Sequence, residues 1–228
     1  MDELSSALPT TLFLGGFAAL LTLMIAFSST FFTIKYPRGI FEKFMNVFVI
    51  SLQTVPVFVL ALCFILVFGV YLNLVPISGI GNAGSNFNFF TFLWHMITPA
   101  FVLSLFPTCM LFRLLRSSCR TEEKLEYIKV ARAKGLKENT IILKHLFPNS
   151  LIASVTVFGV YFSLLMGGAV LTETVFAIPG LGRLMLDSVL SRDIPMIQAC
   201  LSLVLIMIFL FNFFTDSVLV MLDPRRRT

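Results

Sequence analysis

Few side chains in this 228-residue sequence are placed to do covalent chemistry. Its two histidines, His95 and His145, form no HExxH pair, and its four cysteines form no CxxC or other metal-ligand spacing. Cys63, Cys109 and Cys200 fall in apolar runs and Cys119 in a basic one. Neither a zinc site nor a disulfide framework is expected, and no metal ligand is assigned. A phosphate loop needs G-x-x-x-x-G-K-[ST], which is absent. Gly180 and Gly182 in P-G-L-G are too little to cradle a nucleotide. A membrane protease or lipid-modifying enzyme needs paired catalytic groups at membrane depth, and Asp216 is the only carboxylate well inside an apolar run. No catalytic residue is assigned, no cofactor is expected in the chain, and it is not read as an enzyme.

The residues that remain must be positioned by elements made for lipid. Hydrophobic residues are 57% of the chain and charged ones 13%, against roughly 45–50% and 25% in soluble domains. The mean hydropathy is +0.94. One soluble core has no use for so much apolar surface, and the 26 Phe read as lipid-facing and interhelical filler. A span needs about 20 apolar residues. Five stretches qualify, at about 8–34, 48–72, 92–115, 151–171 and 196–222, the second holding Gln53 and Pro56 and the third Pro99 and Pro107. Asp2 and Glu3 precede the first run in place of a basic leader, so that run is read as a retained span. The expected fold is an all-α integral membrane protein, a single transmembrane domain over residues 1–228. Fifteen of the 17 Lys and Arg fall in the segments Lys35–Lys43 and Arg113–Ser150 and in the tail Arg225–Arg227. Met1–Ala7 and Asn73–Thr91 have none, and Glu173–Pro195 has only Arg183 and Arg192. The excess of positive charge marks the cytoplasmic face, which places the N-terminus outside and the C-terminus inside. The net charge of +5 is thus a topology signal, not a nucleic-acid footprint.

The loop at 116–150 is too polar for lipid but has helical order. Thr121 is expected to cap a helix opening with Glu122 and Glu123, whose charges suit the positive dipole end. Leu125, Ile128, Ala131 and Ala133 follow along one face, and Gly135 marks the stop, since glycine takes the left-handed conformation cheaply. A second short helix is expected over Glu138–Leu146, with Ile141, Ile142 and Leu146 clustered, and Pro148 separating it from the fourth span. Two short helices jointed at a glycine make a knob suited to a partner's groove. The other reading of the same residues is an amphipathic loop lying on anionic headgroups.

Ala131–Gly135 reads A-R-A-K-G, and Pro148 follows thirteen residues after Gly135. This resembles the EAA loop of ABC importer permeases, written EAA-x3-G-x9-I-x-L-P. Lys129 stands for the family's Glu, Val130 for its first Ala, His145 for its Ile and Phe147 for its Leu. The stretch Tyr127–Asn149 is more similar to the peptide/nickel branch, as are E-T-V-F-A-I-P-G-L-G-R-L-M-L-D-S-V-L-S-R-D-I-P-M-I-Q at Glu173–Gln198 and the ending L-D-P-R at Leu222–Arg225. The resemblance covers nearly the whole chain. It implies a type I ABC importer permease core of a prokaryotic inner membrane. Two permease subunits, the second by family precedent a paralogue, form the pore. Two separate ATP-binding subunits carry ATP and Mg, and an extracytoplasmic substrate-binding protein delivers the cargo, which in this branch is dipeptides, longer peptides, nickel or a metal chelate. Members of the branch begin with one more N-terminal span, so this chain is expected to start just before the family's second.

The resemblance assigns coupling to the ATPase to Ala131, Arg132, Ala133, Lys134, Gly135, Leu136 and Pro148. Ala131, Ala133 and Gly135 are its packing core, and Arg132 and Lys134 are expected either to meet acidic groups of the partner or to form a solvated basic face. It places Glu173, Pro179, Gly180, Gly182, Arg183 and Asp193 on an extracellular loop at 173–195, with a turn at P-G-L-G and a short helix at Arg183–Ser191 that meets the binding protein or re-enters the interface. Polar residues in the spans, namely Gln53, Thr54, Ser104, Thr108, Ser163 and Asn212, are candidates for the substrate path, the alternative being hydrogen bonds between helices. Arg113 is expected to snorkel to the interface and Asp216 to pair with a basic residue. A stand-alone channel or secondary transporter is the alternative function. Those usually need intramembrane charges or inverted repeats, and no repeat relates the two halves of this sequence.

Overall fold

The computed structural model describes residues 2–81 and 88–222. The L-D-P-R ending beyond Leu222, the basic tail Arg225–Arg227 and the loop stretch 82–87 lie outside the described residues. Among the described residues all regular structure is helical. Helix α1 covers Asp2–Lys35, α2 Ile40–Thr54 and α3 Val57–Phe64, the last running on as π-helix to Tyr71. α4 covers Phe89–Glu122 and α5 Glu126–Ala133; α6, Glu138–Ile141, runs on as π-helix to Leu146. α7 covers Phe147–Val175, α8 Leu181–Ser191 and α9 Ile194–Leu222. α1, α4, the Val157–Val175 part of α7, and α9 are long and apolar enough to cross a membrane. At about 1.5 Å per residue, the 34 residues of α1 or α4 exceed the ~30 Å hydrocarbon core.

The second expected span is not one helix. It breaks between Thr54 and Val57, and its two halves are bent by 109°. Pro56 has no N–H to continue the ladder, and its ring drives Val55 out of the helical region. It instead opens α3 from an extended conformation, φ −58° and ψ 142°. Pro99 and Pro107 leave α4 unbroken. The span expected at 92–115 runs to Glu122, so the polar residues assigned to the next element extend this one.

The chain divides into two compact units: Met1–Leu21, Val55–Phe106 and Phe162–Leu210 form one, and Thr22–Thr54, Pro107–Tyr161 and Phe211–Thr228 the other. In the first, Leu14, Met96, Leu103, Leu165, Met166, Phe176 and Leu181 are buried. Gly15 and Gly168 let helices close up there, since a Cβ on either would lie 2.4 Å from Met166 Cε or 3.0 Å from Leu103 Cδ1. In the second, Cys119, Ile128, Ala131, Ile141, Ile142, Leu146 and Phe147 form one buried cluster, packed by Phe27, Phe31 and Ile34 of α1.

Candidate functional site

The knob follows α4. Thr121 does not cap a new helix, because the helical run has not yet ended; its hydroxyl donates to Ser117 O at 3.1 Å within α4. The next helix starts at Glu126, behind Leu125 in extended conformation. Glu122 and Glu123 therefore finish α4 and do not open α5. Glu122 accepts from the Tyr127 hydroxyl at 2.6 Å, and Glu123 from Arg132 Nη2 at 2.6 Å. Arg132 Nε also donates to Glu138 at 2.8 Å, so one guanidinium ties the end of α4 and the start of α6 to α5. Its bonds to Glu138 and Glu123 hold it above its ordinary pKa. The acidic groups that Arg132 meets in this structure lie within the chain.

Gly135 ends α5 with φ +75°. Its N–H donates to Arg132 O at 2.9 Å and that of Leu136 to Ala131 O at 3.3 Å, the paired bonds of a Schellman cap. The three small residues separate by face. Ile128 and Ala131 are buried in the cluster, whereas Ala133 and Gly135 are exposed. At 100° per residue, Glu126, Val130 and Ala133 lie opposite that buried face. Val130 is half exposed, and Leu125, Leu136 and Leu143 also expose apolar side chains. Lys134 is exposed as well. Pro148 does not separate the second knob helix from the next element. Helix runs without a break from Glu138 to Val175, through the π-helical Ile142–Leu146. The wider turn just ahead of Pro148 gives its ring room and accommodates its missing N–H.

The second arrangement centres on Glu173, which is not a loop residue. It sits in the last turns of α7 and is fully buried. Its Oε2 accepts the backbone N–H of Gly182 at 2.8 Å and of Arg183 at 3.2 Å, and its Oε1 accepts the Thr11 hydroxyl at 2.6 Å. Thr11 Oγ1 in turn accepts the Leu181 N–H at 2.8 Å. Three of the free N–H groups that open α8 are thus satisfied by α1 and α7, with the carboxylate at the positive dipole end. The P-G-L-G spacing follows from this packing. A Cβ at Gly180 would lie 2.3 Å from the Glu173 carboxyl carbon, and one at Gly182 2.5 Å from Val170 Cα. Pro179 precedes the turn. The Arg183 side chain is exposed, 3.9 Å from Asp187, and Asp193 caps α9 by accepting the Met196 N–H at 3.1 Å.

The third lies along the last turns of α4. Gln53 Oε1 accepts from Arg113 Nη1 at 3.0 Å, so Arg113 has a partner on α2. Arg116 bonds Glu42 and Asn46, and Arg120 Nη2 meets the same Glu42 at 2.5 Å. Sequence reasoning missed Glu42, Asn46 and Thr11; their partners are remote in the chain and no local pattern marks them.

Thr54 is exposed and donates to Ser51 O, Ser104 donates to Phe101 O, and Thr108 is buried. Ser163 is partly buried, and Asn212 approaches Gly159. Asp216 is exposed, with no ion pair among the described residues. Among the described residues no group of three or more His, Cys, Asp or Glu is placed to hold a metal.

Residues 18–228 match the family described as the binding-protein-dependent transport system inner membrane component. The chain belongs to that family. This inner membrane component is 33% identical over 224 residues to the oligopeptide transport system permease protein AppB of Bacillus subtilis, covering 98% of the chain and 71% of AppB. It is 35% identical over 195 residues to the dipeptide transport system permease protein DppB of Escherichia coli K12, covering 76% of the chain and 58% of DppB. The chain thus spans little more than half of DppB. Its fold resembles that of a chain in the inward-facing MetNI methionine ABC transporter, with a TM-score of 0.75 at 17% identity over 98% of this chain and 97% of that one. A chain of an amino acid ABC transporter aligns with a TM-score of 0.67 at 13% identity, over 95% of this chain and 92% of that one. The inner membrane component is a multi-pass membrane protein with an all-α permease fold.

Proposed function

We propose that this chain is a permease subunit of an ABC importer for peptides, lining the pore with a second permease subunit. The knob seats in a separate ATP-binding subunit on the cytoplasmic face, and an extracytoplasmic binding protein delivers the peptide. The N-terminus lies outside and the C-terminus inside, as the basic residues of the knob and tail favour. The names of AppB and DppB support peptides over nickel or metal chelates as cargo.

The observation that carries this reading is the construction of the knob. Its inner face is locked by the buried cluster on α1 and by Arg132, so it moves with the spans. Its outer face presents Val130, Ala133 and Leu136 beside the charged Lys134, and the first three are apolar or small groups that a solvated loop has no need to expose. An ATPase gripping that face biases an inward/outward equilibrium through the contacts it makes in each state. Gln53, Thr54, Ser104, Thr108 and Ser163 are kept as the proposed path residues, and the α8 region as the surface toward the binding protein. The test is purification of the tagged chain from cells expressing its neighbouring transport genes. Co-purification of two ATP-binding subunits and a second permease, with peptide-stimulated ATP hydrolysis in proteoliposomes, is expected. A chain that conducts or exchanges substrate alone, without ATP, would contradict the proposal.

A further inference from the structure

Arg113, Arg116 and Arg120 rise along one face of α4, spaced three and four residues apart over about 10 Å. With Asn46, Val49, Ile50 and Ser117 they line an open cleft of about 370 Å³. The charges in it do not cancel. Glu42 is the one carboxylate paired with these guanidiniums among the described residues, and its single charge is shared: Oε1 takes Arg116 and Arg120, and Oε2 takes the Arg38 N–H at 2.5 Å. Among the described residues Arg113 has only the neutral Gln53 amide. Arg116 Nε is buried without a hydrogen-bond partner among the described residues. A partly desolvated site with surplus positive charge suits an anion, and arginine forks match the oxygens of a phosphate.

The surroundings specify which anion. The cleft lies where α4 passes from its apolar run into its polar end, the depth of headgroups whichever side that end faces. The α2 surface that continues from the cleft wall is apolar and exposed: Ile50, on the wall, is 62% exposed and Val47, one turn before it, 66%. A free phosphate has no use for such a surface, whereas acyl chains do. We propose that this cleft binds the phosphodiester headgroup of an anionic phospholipid, with its acyl chains lying along α2. The bound lipid fastens the end of α2 to α4 beside the break at Pro56.

The experiment uses the chain purified with its transport partners in mild detergent. Phosphatidylglycerol and phosphatidylcholine are titrated in, and bound lipid is counted by native mass spectrometry. Retention of phosphatidylglycerol over phosphatidylcholine is expected, falling at least about tenfold in the double variant Arg113→Gln/Arg120→Gln. That variant leaves Arg116 on Glu42 and Asn46. Ser117→Asp, an exposed change at the cleft wall, is expected to give the same loss with every native bond kept. Lys124→Gln/Lys144→Gln, which removes equal charge elsewhere, is expected to leave retention unchanged. Equal loss in that control, undiminished retention in both cleft variants, or no preference between the two lipids would overturn the proposal. Displacement by millimolar inorganic phosphate alone would overturn the lipid assignment in favour of a free anion.

Discussion

Removing the carboxylate of Glu173 by Glu173→Ala deletes the acceptor for the Gly182 and Arg183 amides and the Thr11 hydroxyl. The site is fully buried, so water does not simply replace it. A buried donor left unpaired costs about 1–3 kcal/mol. Two amides lose their acceptor. Thr11 keeps its bond from Leu181 and its hydroxyl can turn, so its share is small. The sum is about 2–6 kcal/mol of local stability, equal to an opening of the first turn of α8 about 30- to 20,000-fold more frequent. Hydrogen exchange measured by mass spectrometry on the detergent-solubilised chain reads this directly in peptides covering 181–185. Peptides from the knob, in the other unit, serve as the reference. Glu173→Gln keeps one oxygen for the amides and is expected to fall between Ala and the native residue. Exchange of 181–185 unchanged in Glu173→Ala would show that α8 is held by other contacts and that the carboxylate is incidental.

Gly135→Val forces a β-branched residue to φ +75° and is expected to destabilise the knob by about 1–3 kcal/mol, seen as faster proteolysis within 122–140. Gly135→Ala should be milder, since nothing lies within 4 Å of the Cβ it adds. Gly159→Val places a Cβ 2.7 Å from Thr215 Oγ1 and 3.1 Å from Asn212 Oδ1, and is expected to lower the melting temperature through overpacking of about 1–3 kcal/mol. Val130→Asp, on the outer face of α5, should leave the melting temperature within a degree or two. It should reduce peptide-stimulated ATP hydrolysis at least tenfold, measured in proteoliposomes.

The fold was legible where one physical signal dominates over a length of chain. Long apolar runs announce α1, α4, α7 and α9, and the alternation of Ile128, Ala131, Ile141, Ile142 and Leu146 announces a knob with a glycine joint. Errors came where two local signals compete. Pro56 sits in a run as apolar as those around Pro99 and Pro107, yet it alone breaks the helix, because the turn it starts is used by the fold. Thr121 with two glutamates is a good cap pattern, but the helical run ahead of it did not stop. The candidate sites were less legible. Glu173 looked like a loop carboxylate because its acceptors' partners are the amides of a turn and a threonine 162 residues away. P-G-L-G held the only hint, two glycines set where a buried group must approach the backbone. The arginines of α4 read as topology, and only the folded chain shows that Glu42 leaves their charge in surplus.

The central claim is that the outer face of the knob is gripped by an ATP-binding subunit. A cysteine at Val130, in a background whose four native cysteines are replaced, tests this by crosslinking in native membranes containing the assembled transporter. A prominent adduct between this chain and the ATP-binding subunit, changing in yield when ATP and vanadate are added, is the result expected. The absence of that adduct from an intact, transporting complex, while a cysteine at buried Ile128 behaves identically, would contradict it.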